Sequence, residues 1–234
     1  MTTDPFRLAS GGYTPDPERD TALIVDGVFA SVAATLRARG DETDPTELLR
    51  ANLVALEADN ADMVVDEPSR HNLRMTLALV VAYRYLCPRL GWADALAAVR
   101  AGFVEPTAPA LRAGTRRLLD AAEDPFTALV GLSKIRERDA FGPTFSFERA
   151  ADDDRRYHLN VTRCFYHDVL VRNSAPELTP GMCEFDRGWI DAIVPERHGF
   201  RFTRTTTIGL GGDHCPFHFD RLDLRRTPRD RGGA

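Results

Sequence analysis

Through roughly the first 140 positions of this 234-residue chain, apolar residues recur at helical spacing; beyond that they alternate with polar ones. From Thr21 to Arg39 the stripe is Leu23, Ile24, Val28, Val32 and Leu36, and Gly40 ends it. Asp44 then caps a second helix, with Pro45 at its first position and Glu47 three residues after the cap; it carries Leu48, Leu49, Leu53 and Leu56. A third is predicted from Glu67 through Leu73, Leu77, Val80, Val81 and Tyr85 to Leu86, where Pro88 is expected to stop it. Shorter helices follow over 92–103, 108–122 and 125–138.

Near Phe141 the period changes. Thr144-Phe-Ser-Phe-Glu-Arg and Tyr157-His-Leu-Asn-Val-Thr alternate as half-buried strands do, with Asp152-Asp-Asp as the turn between them. Cys164 opens a helix through Val169 and Leu170. A second helix is predicted from about Met182 to Ile193. Phe200–Ile208 and the stretch from Cys215 are rich in β-formers. The order is β-β-α-α-β-β, and antiparallel strand pairs with the helices on one face are its simplest packing. The expected fold is therefore α+β. Its regions are an arm (1–20), a helical region (21–140), an α+β region holding most of the cysteines (141–224) and a polar tail (225–234).

Composition narrows the function classes. Apolar content of 43% and charged content of 28% are those of an ordinary globular protein. A net charge of −5 opposes nucleic-acid binding, which calls for a basic face. No stretch approaches the roughly 20 apolar residues that span a bilayer, and the first residues do not read as a signal peptide. The expected setting is the cytoplasm, where thiols stay reduced, and the expected partner is a small-molecule substrate.

Against that background the cysteines carry the chemical signal. Cys87 ends an apolar run, as a structural thiol does. Cys164, Cys183 and Cys215 lie instead in polar or turn-forming text, with Asp186 and His214 nearby. Eighteen residues separate Cys164 from Cys183, two separate Cys183 from Asp186, and twenty-eight lead on to Cys215. There is no tandem Cys-x-x-Cys pair, so this is not a zinc-finger pattern. On one helix, Cys183 and Asp186 would share a face at i and i+3. Cys164, Cys183, Asp186 and Cys215 then form a candidate shell for zinc, or the three thiols a site for an iron–sulfur cluster. Three unrelated cysteines are the plainer alternative. For catalysis the candidates are Cys183, Cys215, Asp186 and His214, although His214 and Cys215 would point to opposite faces if both lay in one strand. Arg163 and Arg204 are candidate carboxylate forks. Gly209, Gly211 and Gly212 mark either a tight turn where backbone approaches a ligand or cofactor, or an ordinary hairpin loop.

Four segments together resemble the L-2-amino-thiazoline-4-carboxylic acid hydrolase family: Asn160-Val-Thr-Arg-Cys-Phe-Tyr, Pro176-Glu-Leu, Cys183-Glu-Phe-Asp, and Phe202 through Cys215-Pro-Phe. The resemblance runs from about Tyr157 to Phe219. It implies hydrolytic opening of a cyclic, amidine-like thiazoline ring to a carbamoyl-cysteine product. Water or a thiolate would add to the ring carbon, with Asp186 or His214 handling protons and any bound metal activating the water. The alternatives are a non-hydrolytic biosynthetic enzyme built on a Cys-ligated metal or cluster, and a ligand sensor with a structural zinc.

Overall fold

A computed structural model describes residues 16–223 of the chain. Most of the expected arm and all of the expected tail over 225–234 lie outside these residues. Helix α1 spans Pro17–Arg37 and so starts inside the expected arm: Asp16 accepts the backbone N–H of Arg19 at 3.1 Å, and Pro17 fills the first turn. Helix α2 follows at Thr46–Asp59, with the Asp44 carboxylate on the N–H of Thr46. The central helix α3 spans Glu67–Leu90. Asp66 and Ser69 close a reciprocal capping box at its start. Pro88 sits inside its last turn and does not stop it; the helix ends at Gly91, whose φ of 79° reverses the backbone. Helices α4 (Trp92–Val104), α5 (Ala108–Ala121) and α6 (Pro125–Arg136) complete the helical part, and one π-type turn, Glu137–Phe141, leads out of it.

Strands β1 (Ser146–Asp152) and β2 (Arg156–Arg163) form the expected hairpin. Asp153 closes it by accepting the N–H groups of Arg155 and Arg156. Helix α7 is Phe165–Arg172, with Cys164 at its N-cap position. The single helix expected over 182–193 is two pieces, α8 (Thr179–Glu184) and α9 (Arg187–Ile190), broken at Phe185 and Asp186. A short α10 (Pro195–His198) precedes β3, which covers only Phe200–Thr203, and β4 is Cys215–Arg221. The sheet is antiparallel throughout, in the order β1-β2-β4-β3, which makes the fold α+β.

Two cores result. The larger is aliphatic and centred on α3, where Leu77, Leu79, Val80 and Leu86 are buried against Phe29 of α1 and Val99 of α4. It also takes in Phe165, Val169 and Leu170 of α7, so the packing runs on past the change of period near Phe141. The smaller is aromatic: Tyr157, Phe200 and Phe219 of the sheet meet Leu119 of α5 and Phe126 of α6. Phe147 of β1 touches both. Among the described residues, no helix is long and apolar enough to cross a membrane.

Candidate functional site

Register explains how two distant cysteines meet. Tyr157, Leu159 and Val161 of β2 stand opposite Phe219, Phe217 and Cys215 of β4, so all six point to one face. Val161 lies three residues before Cys164, which puts the Cys164 and Cys215 thiols at the same end of the sheet. Cys183 comes from α8, and the turn Ile208–Leu210 lies between it and Cys215. The Ile208 N–H donates to Cys215 Sγ at 3.1 Å. A Cβ built on Gly209 would fall 3.0 Å from Cys183 Sγ and 2.8 Å from the Thr179 methyl carbon. The sequence suggests an approach to a ligand or cofactor, but the close approach at Gly209 is to the protein's own Thr179 and Cys183.

These thiols line one cavity of about 250 Å³ between the two cores, walled mainly by apolar side chains such as Phe103, Phe185, Trp189 and Phe217. Burial pushes the Cys164 thiol up to about 12 and Cys215 up to about 11, and the neighbouring sulfurs push both the same way. Both are held as neutral thiols. Cys87 packs against the helical core, away from the cavity.

Asp186 and Arg204 also line the cavity, and each is engaged by protein. One Asp186 oxygen accepts Trp189 Nε1 at 3.0 Å; the other takes Arg204 Nη1 at 2.6 Å. Arg204 Nη2 donates to the Cys183 carbonyl at 2.9 Å. Between α8 and α9, Phe185 and Asp186 keep right-handed helical backbone angles, and Cys183 and Asp186, three residues apart, both face the cavity. Among the described residues, no group of three or more His, Cys, Asp or Glu side chains is arranged to hold a metal ion, so the set Cys164, Cys183, Asp186 and Cys215 is not supported as a zinc shell.

His214 points elsewhere. Its Nδ1 is 2.5 Å from Asp213 in the loop just before β4, and it does not line the cavity. Arg163 is exposed and paired with Asp168 at 2.7 Å, also off the cavity. His198 is a buried core histidine between the Val194 N–H and Asp120. His158 and His218 stack at 4.2 Å, bound to Asp220 and Asn160 on the opposite face of the sheet.

Three cavity residues carried no usable sequence signal. His71 of α3 is buried, which lowers its affinity for a proton, and Arg70 lowers it further. Glu137, in the π-type turn, accepts from the Tyr157 hydroxyl and from Arg149. Arg136, at the end of α6, keeps a buried Nε without a hydrogen-bond partner. Periodicity marks His71 only as a helix-core position, and Arg136 is one arginine among many.

No curated protein and no solved structure matches this chain. A family model does, over residues 71–219, so the match takes in α3 to α6 as well as the strands and thiols. It covers more than half the sequence, and the chain belongs to the L-2-amino-thiazoline-4-carboxylic acid hydrolase family.

Proposed function

We propose that the protein hydrolyses a small thiazoline-like cyclic amidine, using Cys183 as the nucleophile within the apolar cavity. The observation that carries this reading is the arrival of three thiols from three separate elements at one cavity wall. Cys164 and Cys215, held as neutral thiols by burial, suit proton donation better than attack. Cys183 is the sulfur left for attack, and Arg204 fixes its backbone through the carbonyl. Asp186 holds that arginine in place.

Chemically, Cys183 Sγ adds to the ring carbon between nitrogen and sulfur, and its proton passes to the ring nitrogen. The ring C–S bond then breaks, and its sulfur takes a proton from a buried thiol. One water attacks the same carbon and breaks its bond to Cys183; its oxygen becomes the carbamoyl oxygen and its two protons restore Cys183 and the buried thiol. The net change is addition of one water. Apolar walls keep other water from competing during the first step.

The test is incubation with 2-amino-thiazoline-4-carboxylate, following the new free thiol and the product mass. Cys183→Ser is expected to lower kcat by about 100-fold or more, as loss of a nucleophile or proton-transfer group does. Intact-protein mass measurement under rapid quench should find the adduct on Cys183. No turnover of the acid or its close analogues overturns the substrate. Turnover that survives serine at all three positions overturns the thiol chemistry.

A further inference from the structure

Five charged side chains line the cavity: Asp20, Glu137, Asp186, Arg136 and Arg204. Four of them are balanced within the protein. Asp20 pairs with Arg19 at 2.7 Å, Glu137 with Arg149, and Asp186 with Arg204. Arg136 forms no ion pair among the described residues, and its Nε is buried with no hydrogen-bond partner. Its guanidinium carbon lies 5.7 Å from the centre of the Phe141 ring, a contact that holds the group against the wall.

We infer that Arg136 receives the carboxylate of the substrate. The inference rests on the proposed hydrolysis and names the group that orients its acid. An arginine in an apolar wall presents a planar fork that matches a carboxylate, and a buried N–H left unpaired gains most from such a partner. Arg204, the other arginine on the wall, already donates from two of its nitrogens to Asp186 and the Cys183 carbonyl. Glu137 is adjacent to Arg136 in sequence, but its oxygens are taken by Tyr157 and Arg149. An incoming acid therefore supplies the one charge that the cavity leaves unmatched. Because Arg136 comes from α6 and the thiols come from the sheet end, α7 and α8, a ligand held by Arg136 is read from the helical side while its ring meets the sulfurs.

The test compares 2-amino-thiazoline-4-carboxylate with its neutral carboxamide on wild-type, Arg136→Gln and Arg136→Lys proteins. Wild type should favour the acid. In Arg136→Gln, KM for the acid should rise about 10- to 100-fold, the range for loss of a charged hydrogen bond, with kcat changed less than about threefold. The carboxamide should be unaffected, which shows that the variant is folded, and lysine should restore part of the loss. Equal losses for acid and amide, or an acid KM within threefold of wild type, overturn the assignment. Calorimetric binding of the two compounds separates this from the reaction. If wild type binds the acid without turning it over and Arg136→Gln loses that binding, the hydrolysis reading falls and the arginine stands. If wild type binds the acid no more tightly than the amide, the arginine assignment falls, whatever the turnover.

Discussion

The α3-centred core and the sheet core solve the same burial problem with different side chains, and the cavity lies where the two solutions meet. Around α3 the buried residues are mostly aliphatic, and two of the polar ones close their bonds locally: Thr76 donates to the Asn72 carbonyl at 2.7 Å, and Ser69 completes the cap of its own helix. The sheet side buries Tyr157, Phe200 and Phe219, broad rings that stand off from one another at about 6 Å between centres. Branched aliphatics interdigitate to crystal-like density, whereas large rings meeting a helix face leave gaps of their own shape. The thiols and Arg136 line that gap. Chemistry here collects at the seam between two cores and not inside either.

That contrast is broken or sharpened first by truncation in each core. Phe219→Ala should destabilise by about 3–5 kcal/mol and also impair turnover, because Phe219 lines the cavity. Leu77→Ala should destabilise by about 2–5 kcal/mol, yet leave KM and kcat near wild type below its melting range, since Leu77 is buried away from the cavity. Chemical denaturation paired with kinetics on each variant measures both. Equal kinetic damage from the two would erase the distinction between platform and seam.

Cysteines give the next comparison. Cys183→Ser is expected to cost about 100-fold in kcat, which is about 2.7 kcal/mol of barrier. Cys87→Ser, in the helical core, should leave kcat within about twofold, because it removes no group from the cavity. A Cys87 effect of the same size would mean that the loss reports folding, not chemistry.

Much of the framework was legible because it depends on local periodicity. The stripes of α1 and α3, the Asp44 cap, the hairpin closed at Asp153 and the α+β class all follow from spacing and turn chemistry. What was not legible depends on partners distant in sequence. Residues 182–193 suit one helix but form two pieces, and the ion pair of Asp186 with Arg204, eighteen positions beyond it, is a contact that local periodicity does not reveal. The β-rich text from Phe200 ends as a strand at Thr203, because the pairing of β3 with β4 ends at Thr203 and His218. Pro88 was read as a stop, but it falls in a final turn that Gly91 closes. In the site, the three thiols were legible as a group, while the pairing of Asp186 with Arg204 was not, since it is a tertiary fact. His214 is adjacent to Cys215 in sequence, but it lies in the loop before β4 and turns to Asp213, a contact that adjacency does not reveal.

Gly209 offers a smaller test of the seam. Its Cβ would meet the Thr179 backbone carbon at 3.0 Å as well as Cys183 Sγ, so Gly209→Ala must shift either the turn or α8. Overpacking of this kind costs about 1–3 kcal/mol. The expected signature is a modest drop in melting temperature together with a larger loss of kcat, because the displaced sulfur is the proposed nucleophile. Gly211→Ala in the same turn controls for chain stiffness: its φ of 86° strains any side chain, but nothing crowds its Cβ. It should lower stability without a matching loss of kcat.

The smallest expected effect is the alkaline response of the buried thiols. Folding raises Cys164 to about 12 and Cys215 to about 11, chiefly by burial, against about 8.5 for an exposed cysteine. The folded state thus keeps protons that the unfolded chain releases. The stabilisation is fully present below the unfolded value and is lost as pH rises through the folded ones. Stability should fall from about pH 8.5 upward, and part of that slope should vanish in Cys164→Ala. Tyr157 is also raised by burial and contributes in the same direction, so the difference between wild type and Cys164→Ala, not the wild-type slope alone, isolates the thiol. Denaturant midpoints between pH 8 and 11 measure it. Parallel curves for the two proteins would mean that Cys164 is hydrated when folded, and the dry thiol wall on which the proton-donor role depends would have to be given up.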